Sequence, residues 1–145
     1  MTYLVERLLE LRKHLDHLHK LRPRVRSAAN LERDLSLHND VLFSLIRLAQ
    51  LVIDIAGELG SRKGLRYDDY TEAVRNLHAY PEFPDSLVER LTPIPGFRNV
   101  LLHEYVNFDL DRAVAALRNL QPVEDFLQIV AEIESDERGG NGSTA

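Results

Sequence analysis

The sequence predicts an all-α protein, a bundle of four or five helices. Three observations carry this. Leu4, Leu8, Leu11, Leu15 and Leu18 recur at alternating spacings of four and three, the period of one helix face. No proline or glycine occurs between Arg24 and Gly57, while apolar residues recur through Leu31, Leu35, Leu42, Leu45, Ala49, Val52 and Ala56. Nothing alternates with the period of two that marks a half-buried strand.

Taken in order, the leucine stripe predicts a first helix from about Tyr3 to Arg22, ended by Pro23. A stripe this narrow suits an ordinary bundle helix or, less so, a dimer seam. The stretch from Arg24 to Leu59 predicts one long helix. At ~1.5 Å rise per residue it would span roughly 50 Å, so part of it should project or break near Ser36-Leu37-His38. Gly60 is the expected C-cap, with a polar loop after it. Asp68-Asp69 should start a short helix over Tyr70–His78, closed by Pro81 and Pro84, and Asp85-Ser86 should cap another over Leu87–Leu91.

Prolines are tolerated in a first helical turn, where the N–H groups lack partners anyway. Thr92 as N-cap with Pro93 and Pro95 therefore predicts a helix running to Tyr105 or Val106. A last helix is expected from Leu110 to Ile133, kinked or split at Pro122. Residues 1–134 form one expected domain, and 135–145 a disordered polar tail.

Composition narrows the chemistry. The chain has 145 residues, 44% of them apolar, which suffices for one core. Its formal charge of −5 argues against indiscriminate coating of nucleic acid, which needs a net basic surface. Any RNA contact must be local. The absence of cysteine excludes disulfides and thiolate chemistry and suits a reducing cytoplasm. The N-terminus lacks the form of a signal peptide, and the most apolar window, Leu45 to Ala56, is interrupted by Arg47, Gln50 and Asp54. The expectation is a cytoplasmic protein without a membrane contact.

The residues that carry chemistry cluster in Phe97-Arg98-Asn99-Val100-Leu101-Leu102-His103-Glu104-Tyr105. Arg98 is a permanently charged fork suited to phosphate, His103 can move a proton near neutrality, and Tyr105 offers a hydroxyl. On an ideal helix at about 100° per residue, Asn99 and His103 share a face, Arg98 and Tyr105 share a line, and Arg98 and His103 lie about 140° apart. A two-fold dimer would gather two arginines and two histidines around one cleft. Such a cleft suits metal-independent RNA cleavage, in which the ribose 2′-OH attacks the adjacent phosphorus while histidine handles the proton and arginine holds the phosphoryl oxygens. Asp54 interrupts an apolar stripe and can either orient an active-site cation beside Arg98 or His103 or bond a structural one.

Two other clusters stand out. His14-x-x-His17 has ligand spacing but no third ligand, so no metal site and no cofactor is expected. Arg12, Lys13, Lys20, Arg22, Arg24 and Arg26 stand against the single Asp16 in that window. They are a candidate RNA-approach patch or, slightly ahead of it, a solvated, charge-balanced helix end.

The pattern R-N-x-x-x-H-x-Y over Arg98–Tyr105 resembles the R-x-x-x-x-H-x-Y signature of HepT-like proteins in the HEPN superfamily. The likeness extends from about Leu31 to Ile133, including Leu51–Ala56 and a tyrosine, Tyr67 or Tyr70, opening the middle helix. It implies a HEPN-type bundle and a dimeric ribonuclease toxin partnered by an MntA-type nucleotidyltransferase antitoxin. By that resemblance Arg98 and His103 would be catalytic, and Tyr105 would receive AMP. An alternative is a non-catalytic nucleotide- or substrate-binding partner of a nucleotidyltransferase; a third is a structural helical adaptor.

Overall fold

The structure is a computed structural model that describes residues 2–143, with side-chain surroundings given for 2–139. Among the described residues there are no strands. Eight α-helices follow one another: α1 (Tyr3–Leu21), α2 (Ala28–Arg33), α3 (Leu35–Arg62), α4 (Tyr70–Arg75), α5 (Asp85–Leu91), α6 (Ile94–His103), α7 (Leu110–Arg118) and α8 (Gln121–Ser143). Short 3₁₀ turns follow α1 and α4. None of the described helices is long and apolar enough to cross a membrane.

Helix α3 is the spine. Along its 28 residues it packs against α1 on one side and against α4, α6 and α7 on others. That explains why Leu42, Leu45, Leu51, Val52, Ile55 and Ala56 are all buried. The leucine stripe of α1 is a bundle seam: Leu4, Leu11, Leu15 and Leu18 are fully buried. Burying each contributes about 1.5–3 kcal/mol relative to leaving it in water. Phe126 of α8 lies fully buried with its ring centroid 5.9 Å from that of Phe83.

The helices break at more places than periodicity suggests. The expected helix from Arg24 to Leu59 is divided at Asp34 rather than at Ser36–His38, because Asp34 leaves helical geometry and its carboxylate accepts from the Leu37 N–H, capping α3. At the other end α3 runs past Gly60 to Arg62. Gly64, at φ 74°, supplies the left-handed residue that turns the chain away. Pro122 does split the last helix, sitting in the first turn of α8 where its missing N–H is harmless.

Two further corrections bear on function. Thr92 does not start α6. Its Oγ1 donates to the Val88 carbonyl at 2.7 Å, so it closes α5, and Pro93 takes the cap position. At its far end α6 stops at His103, which leaves Tyr105 in the turn that follows. The stretch expected to be a disordered tail from Ser135 continues α8 through Ser143; 144 and 145 lie outside the described residues. Arg62 of α3 helps to hold it, with Nη1 3.0 Å from Glu134 Oε2 and 2.6 Å from Glu137 Oε2.

Candidate functional site

The site is built on α6 and the part of α3 against which it packs. Phe97 and Leu101 turn inward, with Leu101 fully buried and the Phe97 ring edge-on to Phe108 at 5.7 Å. This fixes the rotation of α6. Arg98 therefore emerges along the flank facing α3, half-buried, while His103 is exposed at the last turn.

Arg98 is held from three sides. Its Nε–H donates to Gln50 Oε1 at 2.8 Å, its Nη1 donates to Asn99 Oδ1 at 2.9 Å, and the guanidinium carbon lies 5.6 Å from the ring centroid of Tyr70. Asp54 reaches Arg98 only through Gln50, whose Nε2 donates to Asp54 Oδ1 at 2.8 Å. Asp54 is half-buried, and among the described residues it makes no direct ion pair with a cation. Asn99 serves Arg98, and no hydrogen bond joins it to His103 among the described residues.

Tyr105 leaves the line it was expected to share with Arg98, because the helix has ended. Its hydroxyl donates to Asn39 Oδ1 at 3.0 Å near the start of α3, and the His38 ring meets it edge-on at 5.8 Å. Burial raises the Tyr105 phenol above its ordinary pKa, so it is a neutral O–H at pH 7. Asn39 and Gln50 are eleven residues apart on α3, about 16 Å of helix rise. Within one chain the hydroxyl and the guanidinium thus occupy different levels of the bundle. His103 has no hydrogen-bond partner among the described residues.

Gln50, Asn39 and Tyr70 are the site residues that sequence reasoning missed or left unassigned. Gln50 could have been suspected as a second polar interruption, four residues before Asp54, in the apolar run of α3. Nothing local marks Asn39.

The other clusters resolve into structure. His14 Nδ1 pairs with Ser44 Oγ at 3.0 Å, and burial pushes the imidazole pKa down; His17 lies 3.6 Å from Asp40 instead. Of the basic stretch, Arg12 is engaged by Glu124 through two hydrogen bonds of 3.0 and 2.7 Å and by Asp16 at 3.1 Å. Lys13, Lys20, Arg22 and Arg26 remain exposed.

A family model described as "Ribonuclease HepT-like" matches residues 11–131. The chain belongs to the HepT-like family. Among curated relatives of this HepT-like chain is the mRNA nuclease HepT of Shewanella oneidensis, 27% identical over 114 residues, covering 74% of this chain and 80% of the relative. A solved toxin–antitoxin structure with AMP-PNP superposes with a TM-score of 0.74 at 18% identity, covering 90% of this chain and 99% of that one. A tri-AMPylated Shewanella oneidensis HEPN toxin in complex with MNT antitoxin gives 0.73 at 20% identity, covering 93% and 99%. The helical order of this HepT-like chain is that of HEPN toxin folds.

Proposed function

We propose that this chain is the toxin of a toxin–antitoxin pair, a metal-independent endoribonuclease that works in the cytoplasm as a two-fold dimer. The observation that carries the proposal is the family match across residues 11–131 together with Arg98, His103 and Tyr105 all present at the signature spacing and reachable from solvent. Relatives named as an mRNA nuclease and as a HEPN toxin with MNT antitoxin support it.

In this mechanism the 2′-oxygen of RNA bonds to the adjacent phosphorus and the bond to the 5′-oxygen breaks, leaving a 2′,3′-cyclic phosphate and a 5′-hydroxyl. His103 takes the 2′ proton or returns one to the leaving oxygen. Arg98 holds the phosphoryl oxygens as charge builds on them. Arg98 and His103 diverge on one helix, so the dimer supplies the second pair and one composite cleft on the two-fold axis combines groups from both chains.

Control is by AMP. The Tyr105 oxygen bonds to the α-phosphorus of ATP, pyrophosphate leaves, and the antitoxin, a minimal nucleotidyltransferase, takes the phenolic proton. The product carries a phosphodiester charge and a nucleoside two residues from His103, where RNA would have to lie. Because Tyr105 sits level with Asn39, the block acts at the histidine end of the cleft rather than by filling the same chain's Arg98.

Intact mass and RNA cleavage, measured on the chain produced alone and with the transferase and ATP, test this. A gain of AMP mass that disappears in Tyr105→Phe, with loss of cleavage in the modified protein, is the expected result. No cleavage by the unmodified dimer would favour a non-catalytic nucleotide-binding partner.

A further inference from the structure

Three side chains on two helices form an unbroken run. Asp54 Oδ1 accepts from Gln50 Nε2 at 2.8 Å, and Gln50 Oε1 accepts from Arg98 Nε at 2.8 Å. We propose that Gln50 is a positioning residue for Arg98, set by Asp54, and that this relay aims the guanidinium at an RNA phosphate while leaving its charge unquenched. The inference rests on the ribonuclease proposal above and goes beyond it in naming what holds the arginine and why that group is an amide.

A glutamine amide can face either way. Turned round, its NH₂ would confront the Arg98 N–H, donor against donor. A carboxylate only accepts, so Asp54 selects the NH₂ and forces the carbonyl oxygen toward Arg98. The two residues are four apart on α3 and so lie one turn apart on one face of it.

The contrast with three ion-paired arginines of this chain supplies the functional argument. Arg12, Arg47 and Arg62 are each bound to a carboxylate, that of Glu124, Glu10 and Glu134 respectively. Those are structural ion pairs. Arg98, also partly buried, is met by a glutamine amide, an asparagine amide and a tyrosine ring, all neutral. Asp54, the acidic member of the run, stands a whole amide away. Since attraction falls with distance, this arrangement fixes orientation without neutralising the cation. Nη2 and the remaining Nη1 hydrogen are left for a bidentate phosphoryl contact.

The test compares substitutions with opposite meanings for structure and for function. Gln50→Glu replaces the amide by a carboxylate of the same shape, which makes an ion pair with Arg98 but has no N–H to offer Asp54. A purely structural role predicts that the folded variant cleaves RNA as before, whichever way Tm moves. The relay predicts kcat of the folded variant reduced ~10–100-fold and KM changed less, since the charge matters most as it builds in the transition state. Asp54→Ala should lower kcat similarly by freeing the amide, and Asp54→Asn, which donates as well as accepts and so no longer selects one orientation, should fall between Asp54→Ala and the wild type.

The Arg98 Nε–H resonance, assigned with Arg98→Lys, reads the same relay without any RNA. It should be protected from exchange in the wild type, and exposed in Gln50→Leu and Asp54→Ala. Wild-type cleavage by Gln50→Glu, or a protected Nε–H in Gln50→Leu, overturns the proposal. Should the wild type cleave no RNA at all, the ribonuclease reading fails separately. The variants are then read by affinity for a 2′-O-methyl oligoribonucleotide: weaker binding by Gln50→Glu sustains the relay, and equal binding overturns it.

Discussion

The Tyr105 hydroxyl donates to Asn39 Oδ1 across 66 residues of sequence at 3.0 Å, which fastens the turn after α6 to the beginning of α3. A residue whose side chain is proposed to be modified is therefore also a tether. Tyr105→Phe keeps the ring against His38 and loses the bond. The expected cost is about 0.5–1.5 kcal/mol at most, seen as a small fall in Tm, together with no AMP mass after incubation with the transferase and ATP. A Tyr105→Phe protein that still gains AMP would place the acceptor elsewhere.

Substitution of His103 separates chemistry from stability. The side chain is exposed at the last turn of α6 and bonds to nothing among the described residues. His103→Ala should leave stability within about 0.5 kcal/mol of wild type and slow RNA cleavage by ~10²–10⁴-fold. Cleavage kinetics beside a thermal melt decide it, and an active His103→Ala removes the histidine from the mechanism.

Acid stability should depend on Glu124. Its carboxylate accepts from Arg12 at 3.0 and 2.7 Å and lies 2.9 Å from His19 Nε2. These bonds, chiefly those from Arg12, hold its pKa below the usual carboxylate value. A depressed folded-state pKa contributes stability above the unfolded value of about 4.5 and loses it as pH falls through the folded one. Glu124→Gln should therefore lower Tm at pH 7 and flatten its decline on acidification below about pH 4.5. Parallel Tm-against-pH curves for the two proteins would show the pair to be without consequence.

Deep truncation should be severe. Phe126 is fully buried beside Phe83, and Phe126→Ala should cost about 3–5 kcal/mol, a large share of the roughly 5–15 kcal/mol a domain possesses. Urea unfolding with an unchanged m-value and a much lower midpoint is the expected result.

What sequence alone determined is the helical class, the buried face of each long helix and the breaks that proline imposes. Periodicity in Leu4–Leu18 reports which side of α1 is apolar, and Pro122 cannot continue a helix whatever surrounds it. The placing of Arg98 and His103 on one helix follows equally from local rules. Tertiary structure decided what each of those faces meets. Gln50 and Arg98 are 48 residues apart in sequence, Asn39 and Tyr105 66, and Arg12 and Glu124 112, so no local spacing could pair them. The end of α6 at His103, which parts Tyr105 from the line of Arg98, was not legible from local spacing either. The helix past Ser135 was hidden because its ion pairs come from Arg62 on another helix. Local chemistry chose the helices; the packing of α6 on α3 chose which polar groups touch.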